Sequence, residues 1–135
     1  MIRSAFLIRN IKISTASSFV AMFFLGVGGA LIGSAARDIG LTASQIGVLI
    51  AAQNAGFLLS VGVAGALADT HPKPRLLLIG SLCLAIAFLT FYLSPSYWIN
   101  LAVMFLFGIG MGAYEGVTDA MLLDLHEARA GLFVN

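Results

Sequence analysis

The sequence predicts an all-α protein, a polytopic membrane helical bundle of four transmembrane helices. Three observations predict it. Of 135 residues, 60% are hydrophobic and 10% charged, whereas a soluble domain carries about 25% charged residues. The mean hydropathy is +1.02, which leaves too little polar surface to cover a globule in water. The few charges also fall in short breaks between apolar runs, and each run approaches or exceeds the roughly 20 residues that cross a bilayer.

The elements follow from those breaks. The first helix is expected near Ile13–Ala36, the second near Gln45–Ala68, the third near Arg75–Leu93 and the fourth near Tyr97–Leu123. The connections Arg37–Ser44, Asp69–Pro74 and Ser94–Ser96 are short, with Pro95 as a breaker, so consecutive helices run antiparallel. Arg9 and Lys12 before the first run, and Ser34-Ala35-Ala36 after it, suggest a cleaved leader as the alternative. Its apolar stretch of roughly 24 residues exceeds the 7–15 of a signal core, which favours a true span.

Lys and Arg divide unevenly between the two sides. Arg3, Arg9, Lys12, Lys73, Arg75 and Arg129 fall on one, and only Arg37, beside Asp38, on the other. This bias predicts an inner cell-membrane protein with both termini cytoplasmic. Tyr92, Tyr97 and Trp98 cluster at the opposite end, where amphipathic rings favour the interface. Cys83 stands alone in an apolar run, so no disulfide or zinc framework is expected within the chain. The net charge of +1 gives no reason to expect nucleic acid as a partner.

The hairpin Gly65-Ala66-Leu67-Ala68-Asp69-Thr70-His71-Pro72-Lys73-Pro74-Arg75 joins the second and third helices. Asp69 ends a helix, where the dipole is already negative, so it calls for a positive partner such as Lys73, Arg75 or another helix's N-terminus. Gly65 is expected to permit close backbone approach. Pro74 suits a helix's first turn. In the plainest reading the loop is simply a charged turn held in water.

Gly65-x-Leu67-Ala68-Asp69-x-x-x-Lys73 resembles the loop between the second and third helices of the major facilitator superfamily, whose pattern is Gly-x-Leu-Ala-Asp-Arg-x-Gly-Arg-Arg. Leu41-Thr42-Ala43-Ser44-Gln45-Ile46-Gly47 is also similar to that family. Thr70, Pro72 and Pro74 depart from it, standing where arginine, glycine and a second basic residue are usual. The resemblance implies a gating loop built on Gly65, Asp69, Lys73 and Arg75, its aspartate facing a helix of the transporter's other half. The lost charges weaken any such latch.

The fourth helix carries the candidate chemistry. Gly108, Gly112, Glu115 and Asp119 recur at spacings of three and four and share a face. Gly108, Gly112 and Gly116 form a groove for helix packing, which in lipid favours small residues. Glu115 lies about 12 Å along the axis before Leu123, and an acid at that depth calls for a cavity or a partner. Two carboxylates one turn apart repel if both are ionised, so they are expected to share a proton. That makes Glu115 a candidate for proton coupling or hydroxyl binding and Asp119 its modulator. The opposing reading has a basic residue elsewhere neutralise Glu115, the acids serving packing alone. Gln53 and Asn54 are candidates to line a solute cavity, with interhelical hydrogen bonds as the alternative.

A glycine run followed by an acid resembles the fucose–proton symporter-like sugar branch, with Asp119 where that branch has asparagine. The arginine of many drug and sugar antiporters is absent, with Met104 near its place. The first helix also lacks the acid of proton-coupled sugar carriers. The resemblance and the missing arginine imply symport of a polar, sugar-like solute with protons; the first helix's lack of an acid is a departure from it.

Ser14, Thr15, Ser17 and Ser18 are expected to return hydrogen bonds to their own backbone. Gly26, Gly28, Gly29 and Gly33 suit bending or close packing of the first helix, and His126 suits a solvated loop. No nucleophile elbow, phosphate loop or metal-ligand spacing occurs, so neither an enzyme nor a cofactor is expected.

The family's fold pairs two six-helix halves built from three-helix repeats. Residues 1–135 correspond to one repeat plus the fourth helix, and 131–135 read as the run into a fifth. The expectation is a truncated part of the N-terminal half, which needs the remaining transporter helices to work. The alternatives are a four-helix carrier acting as a dimer and a non-transporting accessory subunit.

Overall fold

A computed structural model describes Phe19, Phe23, Gly26, Val27, Ala30 and 34–125, with residues 92 and 125 described by backbone alone. The described residues are helical in four segments and contain no strand. The first segment includes the five separate residues and 34–38. The others run Ala43–Ala68, Lys73–Leu93 and Tyr97–Leu125, as the second, third and fourth helices. All three are long and apolar enough to cross a membrane. The expectations for Arg3, Arg9, Lys12, Ser14, Thr15, Ser17, Ser18, Gly28, Gly29, Gly33, His126, Arg129 and 131–135 lie outside the described residues.

Local chemistry explains where the helices start and stop. Gly40 ends the first segment at φ +81°, a conformation open to glycine at little cost. Its N–H donates to the Arg37 carbonyl at 3.0 Å, and that of Leu41 donates to Ala36 at 3.2 Å. These bonds satisfy carbonyls that a helix end leaves open. Two residues on, Thr42 and Gln45 cap each other. The Gln45 N–H donates to Thr42 Oγ1 at 3.3 Å, and the Thr42 N–H donates to Gln45 Oε1 at 2.9 Å. This capping box starts the second helix at Ala43, slightly before the expected Gln45.

The remaining ends are as local. Extended Pro72 precedes the third helix, with Pro74 in its first turn. The Arg75 N–H already donates to the Pro72 carbonyl at 2.9 Å, so this helix starts at Lys73 rather than Arg75. At the far end, fully buried Asn100 ties down the turn. Its Nδ2 donates to the Ser94 carbonyl and its backbone N–H to that of Ser96, each at 3.0 Å. The fourth helix extends to Leu125, two residues past the expected end.

The fourth helix is the central rod. Half of its spanning window is buried, against 17% and 22% for the second and third helices, which flank it and barely touch each other. One apolar cluster, near the Trp98 end, gathers Leu49, Leu84, Phe91, Met104 and Phe107, with Ala36 from the first segment. Phe88 meets Phe107 edge to face at 4.9 Å between ring centroids. A second cluster, near the Lys73 end, holds Ala64, Ala68 and Val117. Leu58, Leu78, Leu89, Leu93 and Trp98 face outward, an apolar exterior suited to lipid.

Candidate functional site

The site is built on the contact between the second and fourth helices. In lipid, helices gain little from hiding apolar surface, so association depends on close packing. A methyl group at Gly112 would stand 2.5 Å from the Phe57 carbonyl oxygen and 2.9 Å from the Val61 nitrogen. At Gly116 it would stand 2.6 Å from the Val61 carbonyl oxygen, and at Gly108 it would overlap the Gln53 carbonyl. Gly56 plays the reciprocal part, lying against the backbone of Phe105 and Ile109. The side-chain position of Gly65 is open, although its nitrogen lies against Gly116. The tight contact there is therefore made by Gly116, and Gly65 does not need to be glycine for it.

Glu115 and Asp119 lie on the flank of this seam, partly buried, one turn apart. The fourth helix centres on Met111, so Glu115 is about 6 Å and Asp119 about 12 Å from its midpoint. A hydrocarbon layer of about 15 Å half-thickness, if centred on that midpoint, takes in Glu115 well inside and Asp119 near its edge. Among the described residues, neither acid forms an ion pair. Partly buried Gln53 donates from Nε2 to the Met111 sulfur at 3.4 Å, which places its amide about one turn from Glu115. Asn54, one residue on, is exposed on a different face of the second helix.

At the other end of this site Asp69 pairs with neither Lys73 nor Arg75, two of the three partners expected for it. Lys73 Nζ pairs with Asp124 Oδ2 in the last turn of the fourth helix. Starting the third helix at Lys73 sets that side chain beside the fourth, which explains the choice. Asp69 closes the second helix, its N–H donating to the Leu67 carbonyl, and its side chain is exposed. The Thr70 hydroxyl hydrogen-bonds to the same carbonyl at 3.3 Å and lies 2.8 Å from His71 Nδ1. Arg75 is exposed and forms no ion pair among the described residues.

Sequence reasoning missed Asp124 and Asn100. The signal for Asp124 was its place at the end of a helix whose antiparallel neighbour begins with lysine. A lone amide just inside a helix after Ser-Pro-Ser marks Asn100 as an anchor for that turn. No cluster of His, Cys, Asp and Glu capable of holding a metal occurs among the described residues.

No curated protein and no solved structure matches the chain. The family model described as Major Facilitator Superfamily matches residues 13–133. That match covers the hairpin, the glycine seam and both acids of the fourth helix. The chain therefore belongs to the major facilitator superfamily, whose members carry solutes across membranes, and is an integral membrane protein.

Proposed function

We propose that this chain takes part in proton-coupled symport of a small polar, sugar-like solute, with Glu115 as the group that exchanges protons. The observation that carries the reading is the position of Glu115: an acid within the apolar layer, beside a tightly packed seam, with no cation paired to it among the described residues. Such an acid costs several kcal/mol if it is ionised and unpaired in hydrocarbon. A group so placed gains or loses a proton when a polar solute or water reaches it.

Asp119 modulates this exchange through its charge one turn away. Gln53 supplies an amide donor about one turn away once released from the weak Met111 sulfur acceptor. Asn54 lies on a different face of the second helix, and for exposed Asp69 the superfamily resemblance implies gating against another helix. The orientation proposed is both termini cytoplasmic, with the basic Lys73–Arg75 end inside.

The test is Glu115→Gln, with uptake of labelled sugars measured in cells or vesicles expressing the protein from its natural gene. Accumulation driven by a proton gradient is expected to vanish while solute exchange without a gradient persists. Unchanged gradient-driven accumulation would reject Glu115 as the coupling group.

A further inference from the structure

We propose that the cleft between the second and third helices holds one acyl chain of an anionic phospholipid, its phosphate bound by Arg75. Because these two helices scarcely touch, a cleft of about 200 Å³ opens between them over the fourth. Val63 and Leu67 form one lip, Leu76 and Ile79 the other, and Ile109 and Ala113 the floor. The one hydroxyl in the lining, on Ser60, is bonded to the Phe57 carbonyl of its own helix at 3.3 Å. The lining offers a ligand no free polar group, so the occupant is a hydrocarbon chain.

The charges at the cleft's mouth select the headgroup. Arg75 and Ile79 are one turn apart on the third helix, so the guanidinium rises from the same lip as Ile79. Lys73 is neutralised by Asp124, whereas Arg75 has no acidic partner among the described residues. Asp69 is two positions beyond Leu67, about 200° around the second helix, and so turns away from the cleft. The mouth thus presents one unpaired, exposed arginine at the rim of the membrane, where its long side chain reaches the headgroup layer. Guanidinium binds phosphate through paired hydrogen bonds. Basic clefts between transmembrane helices hold anionic headgroups in this way.

The tail packs equally well in the cleft whatever its headgroup, so filling the cleft adds affinity but no preference between lipids. The charge sets it. The proposal shares with the transport reading only the orientation, which names the leaflet as cytoplasmic. Binding in detergent requires neither transport nor orientation, so the two readings fail separately.

The test is native mass spectrometry of the purified full chain, titrated with dioleoylphosphatidylglycerol or dioleoylphosphatidylcholine. One phosphatidylglycerol is expected to be retained at about fivefold lower lipid concentration than phosphatidylcholine. Arg75→Gln is expected to remove that preference, and Arg75→Lys to keep most of it. Val63→Trp fills the cleft from an exposed lip and is expected to weaken both lipids while the Tm holds. Equal retention of the two lipids, or a preference that survives Arg75→Gln, would overturn the proposal. So would Val63→Trp without effect, displacement of the lipid by millimolar inorganic phosphate alone, or a cysteine placed at Ile79 cross-linking to another helix of the protein across the cleft.

Discussion

Replacing Gly108 by alanine tests whether the seam between the second and fourth helices has the closeness described. The added carbon would stand 2.8 Å from the Gln53 carbonyl carbon and 2.9 Å from the Phe57 nitrogen. The Gln53 carbonyl oxygen is closer still and is overlapped, so reaching the 3.4 Å of ordinary contact requires the second helix to withdraw by about 1 Å or more, since these neighbours are backbone atoms and cannot rotate away. A gap of that order forfeits about half of each dispersion contact along the seam. With the usual range for overpacking, the cost is about 2–3 kcal/mol, against a gain of at most about 1 kcal/mol from alanine's better helix propensity. The net loss is about 1–2 kcal/mol, or roughly 4–8 °C in apparent Tm. The assay is thermal unfolding of the purified protein in a mild detergent. Gly47→Ala is the control, because a methyl group there meets nothing within 4 Å; its Tm is expected to stay level or rise slightly. A Gly108→Ala protein as stable as the parent, or a Gly47→Ala protein equally damaged, would refute the packing argument.

Thr42→Ala removes one half of the capping box and is expected to cost about 1 kcal/mol. The loss will appear as faster amide exchange at the start of the second helix, with little change in the third. Phe107→Ala empties a fully buried position and breaks the edge-to-face contact with Phe88. A loss of about 3–5 kcal/mol is expected, read as a fall in Tm or failure to accumulate in the membrane. A double-mutant cycle on Lys73 and Asp124, whose carboxylate is 66% exposed, is expected to give a coupling below about 1 kcal/mol that shrinks with added salt.

Chain order and solvent were legible in the sequence because lipid imposes them. Backbone polar groups must be satisfied within each span, so the second, third and fourth helices start and stop within about two residues of where charges and turn residues place them. Thr42 and Gln45 could have located the start of the second helix more closely, since their spacing is that of a capping box. Rotation about each helix axis was harder to read. The second and third helices are apolar all round, so no stripe marks their inner faces. That is why the partners of Lys73 and Gln53, and the reciprocal part played by Gly56, emerge only once the helices are packed. The glycine stripe of the fourth helix was the exception, because small residues in lipid identify an interface by size rather than polarity.

The glycine seam also governs how this part of the protein can move. Two helices whose backbones touch at Gly56, Gly108, Gly112 and Gly116 cannot slide or twist past one another without colliding. They act as a single stiff lever about 40 Å long. Tilting that lever by 10° about its middle swings each end by about 4 Å, in opposite directions. The turn anchored by Asn100 and the joint between Lys73 and Asp124 lie at its two tips, so a displacement at one face of the membrane is delivered, reversed, to the other.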